Sequence, residues 1–165
     1  MPLAELEACG VRQKSFDAEV KALYFADLAY RAKRKKYRLE EISLFVNCVA
    51  MIALAVNLRM VSFGILTASL FIGAYAIASY EDWTVTTLTM LHSRWNSLNW
   101  DYEQLSHKWK DDDASRALEA LDHRAKLAEQ TGSEIRINKR LIEQWYEFVL
   151  SRREKNGLTR ASGAL

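Results

Sequence analysis

Apolar and charged residues are sharply segregated along the chain. Between Ile42 and Tyr80 the sole charged residue is Arg59, which divides two uncharged runs, Ile42–Leu58 and Met60–Tyr80. As helices rising about 1.5 Å per residue they would measure roughly 26 and 31 Å. The hydrocarbon core of a bilayer is about 30 Å thick, so each run is near one crossing. A single crossing by both runs together would overshoot. Two crossings joined by a turn at Asn57-Leu58-Arg59-Met60 fit. A helix on the surface of a soluble protein carries a polar stripe, and neither run has one. Arg59, at the turn, could reach water or headgroups.

Outside this block the pattern becomes periodic. Leu88, Leu91, Trp95, Leu98, Tyr102, Leu105 and Trp109 follow alternating steps of 3 and 4, which is a heptad seam. No Gly or Pro separates this seam from the end of the second run, so one helix is expected from about residue 60 to about 110. Residues 15–41 also lack Gly and Pro, and Phe16, Val20, Leu23, Tyr24 and Leu28 give them an apolar face. That helix is expected to continue into the first run. The two can pair antiparallel below the membrane. A further seam, Ala114, Leu118, Leu121, Ala125 and Ala128, is rich in small residues. Thr131-Gly132-Ser133 breaks it, with Ser133 as the expected N-cap of a last helix from about 134 to 155. The expected fold is therefore all-α: a membrane helical hairpin of two long helices, extended into a cytosolic antiparallel coiled coil and followed by a short two-helix C-terminal segment. In residue terms this gives a flexible N-terminus over 1–14, the hairpin and stalk over 15–110, a cytosolic helical hairpin over 111–156 and a disordered tail over 157–165.

Charge orients this arrangement. The net charge is only +2, but Arg31, Lys33, Arg34, Lys35, Lys36 and Arg38 cluster just before the first run. Glu81 and Asp82 follow the second, and no Lys or Arg appears until Arg94. The positive-inside rule places both ends of the hairpin in the cytoplasm. Residues 81–165 hold 13 basic and 14 acidic residues, which argues against nucleic acid as a partner. No apolar stretch of signal-peptide type precedes the first run. The two cysteines, Cys9 and Cys48, fit a reducing compartment better than a disulfide.

Motifs that carry chemistry are scarce. His92, His107 and His123 are spaced 15 and 16 apart, which is not a metal-ligand spacing. Asp111-Asp112-Asp113 reads as helix-start punctuation, since no calcium-loop spacing follows. There is no nucleophile elbow, zinc-protease motif or phosphate-cradling loop. No enzyme, cofactor or metal centre is expected. Trp83 suits the membrane interface and Trp95 and Trp109 a packed seam, whereas Trp100 lies off it. The suggestive residues lie inside the apolar runs. Asn47 and Asn57 belong to the first run, and Thr67, Ser69, Gly73, Tyr75 and Ser79 to the second. Ser69 with Gly73 is a small-xxx-small pair that lets helices approach closely, and Asn can hydrogen-bond between helices in lipid. Together with Arg59 these are candidates for helix association or for lining a pore. Two helices cannot enclose a water-filled path, so conduction would need a homo-oligomer.

The basic helix FADLAYRAKRKKYRLEE, the two close-set runs and the seam LTMLHSRWNSLNWDYEQLSHKW resemble the SLATT family over roughly residues 16–110. These are two-transmembrane effectors of bacterial second-messenger and anti-phage conflict systems. The resemblance implies an inner-membrane effector that oligomerises and permeabilises the bilayer, with both termini cytoplasmic and the runs as the effector part. It supplies no catalytic residues. A trigger would come from a separate sensor or nucleotide-second-messenger protein. Two other readings remain open at this point: a non-conducting, membrane-anchored coiled-coil scaffold that recruits a cytosolic partner, and a holin-like protein.

Overall fold

A computed structural model describes the backbone of residues 3–56, 59–79, 82–108 and 113–162, and the side chains of residues 9–56, 60–75, 84–108 and 113–156. The described residues form the helices α1 (Leu3–Ala55), α2 (Arg59–Ser79), α3 (Asp82–His107), α4 (Ala114–Gly132) and α5 (Lys139–Ser162). No strand occurs among them. The chain is all-α.

α1 is a single helix of 53 residues. The only proline, Pro2, precedes it, so nothing removes an interior backbone hydrogen bond. The flexible N-terminus expected over residues 1–14 is instead helical from Leu3, and Val11 is buried. The expected continuity between the second apolar run and the seam falls on residues 80–81, outside the described residues. So does most of the turn, at residues 57–58. At the other end, α5 is helical to Ser162, where a disordered tail was expected from 157.

The helices group into two units, residues 1–27 with 89–165 and residues 28–88. In the first unit, α1 lies against each of α3, α4 and α5. Ser15 Oγ donates to Asn99 Oδ1 at 2.9 Å, and His92 Nδ1 lies 2.9 Å from the Ala22 carbonyl, so α3 runs antiparallel to α1. Lys14 and Lys21 pair with Asp122 and Glu129, each at 2.5 Å, so α4 runs parallel to α1. Phe16 packs edge-on against Tyr146, and the Tyr24 hydroxyl accepts from the Asn138 backbone N–H, so α5 returns antiparallel. The two C-terminal helices expected over 111–156 thus pack on α1 within this unit.

The heptad seam supplies much of this core. Leu91, Trp95, Leu98, Tyr102 and Leu105 are buried, as are Ala114, Leu121 and Ala128 of α4. Leu88, assigned to the other unit, is buried too, and Trp109 lies outside the described residues. Phe16, Val20 and Val149 form a further cluster with Trp145. Gly132 fits close against Phe25, because a Cβ there would sit 3.3 Å from the ring edge.

Two helix ends differ from expectation. Ser133 does not start the last helix: its hydroxyl donates to the Gln130 carbonyl at 2.7 Å and closes α4. Asn138 begins α5, accepting the Leu141 N–H on its side chain. Asp113 occupies the N-cap position of α4, but its carboxylate makes no capping bond and pairs with Arg116 at 3.7 Å instead. The backbone explains this, since Asp113 is already in a helical conformation rather than the extended one of a capping residue.

Candidate functional site

The second unit has an inverted distribution of polarity. In α1 the more covered positions between Leu39 and Ala53 are Leu39, Ser43, Val46, Ala50 and Ala53, again in steps of 4 and 3. In α2 they are Ser62, Ile65, Ser69, Ile72 and Gly73. This interface is made largely of small residues, which allow close helix approach. Ser62 is 0% and Ser69 6% exposed, whereas Phe45 is 69%, Leu70 75% and Phe71 74% exposed. Met51, Ile52, Met60 and Phe63 also point outward. Water-soluble units rarely present large apolar side chains so continuously.

Ser69 Oγ donates to Asn47 Oδ1 at 2.7 Å and ties α2 to α1. Thr67 Oγ1 donates back to the Phe63 carbonyl at 2.8 Å, which satisfies its hydroxyl within its own helix. Beside these bonds lies an open groove of about 700 Å³, lined by Ser43, Asn47, Thr67, Ser69 and Gly73 among apolar neighbours. Four candidate residues, Asn47, Thr67, Ser69 and Gly73, therefore meet in one place. Tyr75 is exposed and does not line the groove. Asn57 lies outside the described residues, as do the side chains of Arg59 and Ser79. Sequence reasoning missed Ser43 and Ser62; their place in the small-residue steps of 3 and 4 was the available signal.

Among the described residues no helix is long and apolar enough to cross a membrane. The described charge-free part of α1 is Ile42–Ala55, with Glu40 and Glu41 just before it. The described side chains of α2 run from Met60 to Tyr75. These stretches correspond to about 21 and 24 Å, short of the ~30 Å hydrocarbon thickness. The remaining apolar residues of the two runs, 57–58 and 76–80, lie beyond the described side chains.

The basic cluster sits on α1 ahead of the apolar run. Tyr30, Lys33, Arg34, Tyr37, Arg38 and Glu41 line a shallow groove of about 430 Å³. Lys33 Nζ lies 5.7 Å from the centre of the Tyr37 ring.

The first unit contains polar networks of another kind. Glu19, 8% exposed, is clamped by Arg152 and by Arg153, whose Nε and Nη2 donate to it at 3.0 and 2.7 Å. Burial pushes the Arg153 guanidinium below its ordinary range, and Glu103 opposes that shift. The Tyr102 hydroxyl donates to Asp122 Oδ1 at 2.9 Å, and burial followed by this contact pushes its phenol well up. These bonds join helices and leave no base beside a free nucleophile. Among the described residues no three His, Cys, Asp or Glu side chains converge. His92 is packed, and His107 and His123 are exposed.

No family model matches the chain, and neither a curated protein nor a solved structure matches it significantly.

Proposed function

We propose that the chain is a two-span inner-membrane effector of a bacterial defence system, which oligomerises through its apolar hairpin and permeabilises the bilayer. The observation that carries this reading is the inverted hairpin of α1 and α2. Ala50, Ser62 and Ser69 are buried there while Phe45, Leu70 and Phe71 face outward. Acyl chains are the environment in which that distribution costs least. On this reading the uncharged runs 42–58 and 60–80 cross the membrane, and both ends of the chain lie in the cytoplasm.

The groove supplies the reason for self-association. Asn47 uses its carboxamide oxygen on Ser69, while its two N–H donors have no hydrogen-bond partner among the described residues. Unpaired amide donors in hydrocarbon cost several kcal/mol, about the scale of a polar group transferred without a partner. A neighbouring copy, or water in a path between copies, would relieve that cost. The cytosolic helices would hold the hairpin until a separate sensor protein releases it. The SLATT resemblance agrees with this mechanism and adds the defence setting. The experiment is induced expression in bacteria carrying a potential-sensitive dye, with and without the trigger system. Collapse of the potential is expected. Normal potential and growth under both conditions would remove the effector reading.

A second reading, a non-conducting scaffold anchored by the hairpin, is favoured by the exposed aromatics of the first unit. Trp100, Tyr146 and Phe148 offer a surface for a partner protein. Exchanging both runs for unrelated apolar sequence separates the readings. A scaffold keeps its activity, and a pore loses it.

A further inference from the structure

The basic face of α1 has a use beyond orienting the chain. Successive helical residues turn by about 100°, so Tyr30, Lys33, Arg34, Tyr37 and Arg38 share an arc of about 140°. They line the groove of about 430 Å³ together with Glu41. Three cationic groups and two phenol hydroxyls therefore open onto one shallow surface. Both tyrosines are largely exposed. Lys33 remains beside the Tyr37 ring, which holds its ammonium on this face.

We propose that this face binds the phosphate headgroup of an anionic phospholipid, with Lys33, Arg34 and Arg38 as the cationic contacts and Tyr30 and Tyr37 as interfacial anchors. The inference rests on the membrane reading of the hairpin and adds a ligand to it. Its second support is distance. Arg38 precedes exposed Phe45 by two helical turns, about 10 Å along the helix. A lipid whose phosphate met Arg38 could lay its chains along the apolar surface that begins at Ile42. Tyrosine is at home at that depth, where its ring is apolar and its hydroxyl wet. Charge agrees, because residues 30–41 contain six basic and two acidic side chains. Glu41 shares the face at its apolar end, but its single carboxylate is outnumbered there by Lys33, Arg34 and Arg38.

The test uses the full chain in a non-ionic detergent and three probes: short-chain phosphatidylglycerol, short-chain phosphatidylcholine and inorganic phosphate. Phosphatidylglycerol should bind at least about ten-fold more tightly than phosphatidylcholine, the order expected when several basic residues act at one anionic surface. The variant Lys33→Gln/Arg34→Gln/Arg38→Gln should lose that preference. A variant with the same loss of charge elsewhere, Lys126→Gln/Lys139→Gln/Arg140→Gln, should keep it. Arg34→Gln and Arg38→Gln alone should each weaken it, which covers the case of a triple variant that does not fold. Equal affinity for the two lipids overturns the proposal, as does equal loss in both triple variants. Displacement of the lipid by equimolar inorganic phosphate would also overturn it, by making the ligand a free anion. Alkaline washing of membranes tests the underlying reading separately. A chain released by the wash that still prefers phosphatidylglycerol would remove the spanning hairpin and leave this site standing. A retained chain with no lipid preference would do the reverse.

Discussion

Replacing Glu19 with Gln tests whether the first unit is held by the ionic clamp between α1 and α5. Glu19 is buried, and its carboxylate meets both Arg152 and Arg153. Glutamine keeps the shape but removes the charge and one strong acceptor. A hydrogen bond to a charged group contributes about 1.5–3 kcal/mol, and breaking a fully buried pair costs about 3–5 kcal/mol. The arginine side chains are 47% and 37% exposed, so water recovers part of the loss. A net cost of about 2 kcal/mol follows from the lower end of that range. For a chain of this size about 1 kcal/mol corresponds to about 2–4 °C, so Tm should fall by about 6 °C. The assay is a circular-dichroism melt in detergent for Glu19→Gln, Arg153→Gln and the double variant. The double variant should lose clearly less than the sum of the two single losses. A fall of less than about 1 °C in Glu19→Gln, or additive losses within about 0.5 kcal/mol, would refute the clamp.

Other substitutions probe the core, a close helix approach, a buried phenol and the groove. Leu91, 0% exposed, becomes a cavity in Leu91→Ala, and a denaturant melt should show about 2–5 kcal/mol lost. Gly132→Val crowds the Phe25 ring at a position where even a Cβ is tight, and should cost about 1–3 kcal/mol in the same melt. Tyr102 should titrate later than ordinary tyrosines when phenolate absorbance is followed against pH, and Tyr102→Phe should remove that late step. Because burial raises its folded pKa above the unfolded value, its stabilising contribution is fully present below pH about 10 and falls as pH rises beyond it. Stability of the wild type should therefore decline more steeply with alkaline pH than that of Tyr102→Phe. Asn47→Leu removes the acceptor of Ser69 and the unpaired donors together; chemical cross-linking in membranes should then trap fewer oligomers.

Much of the helical order was legible because burial follows spacing. The steps from Leu88 to Leu105 predict a seam, and those side chains are buried. The long uninterrupted α1 follows from the lack of interior proline. What spacing could not give was partnership. The seam was expected to pair with one antiparallel helix, yet α4 and α5 also pack on α1, through contacts such as Lys14–Asp122 and Tyr24–Asn138 that join residues far apart in the chain. Glu19 illustrates the difficulty. In sequence it is one acidic residue in a charged helix, and only the return of α5 makes it buried. Helix ends were misread for a local reason. Ser133 and Asn138 both suit an N-cap, but Ser133 bonds back to Gln130 and it is Asn138 that accepts the Leu141 N–H. For the candidate site, residue type indicated Asn47, Thr67, Ser69 and Gly73. Their convergence on one groove required the packing of α1 on α2.

Dye release from sealed liposomes containing the purified chain asks whether hairpins that associate through this groove breach a membrane. Release should rise more steeply than linearly with protein-to-lipid ratio and be strongly reduced in Asn47→Leu/Ser69→Ala. Inserted protein that releases no dye at any ratio would rule out a breach by these hairpins.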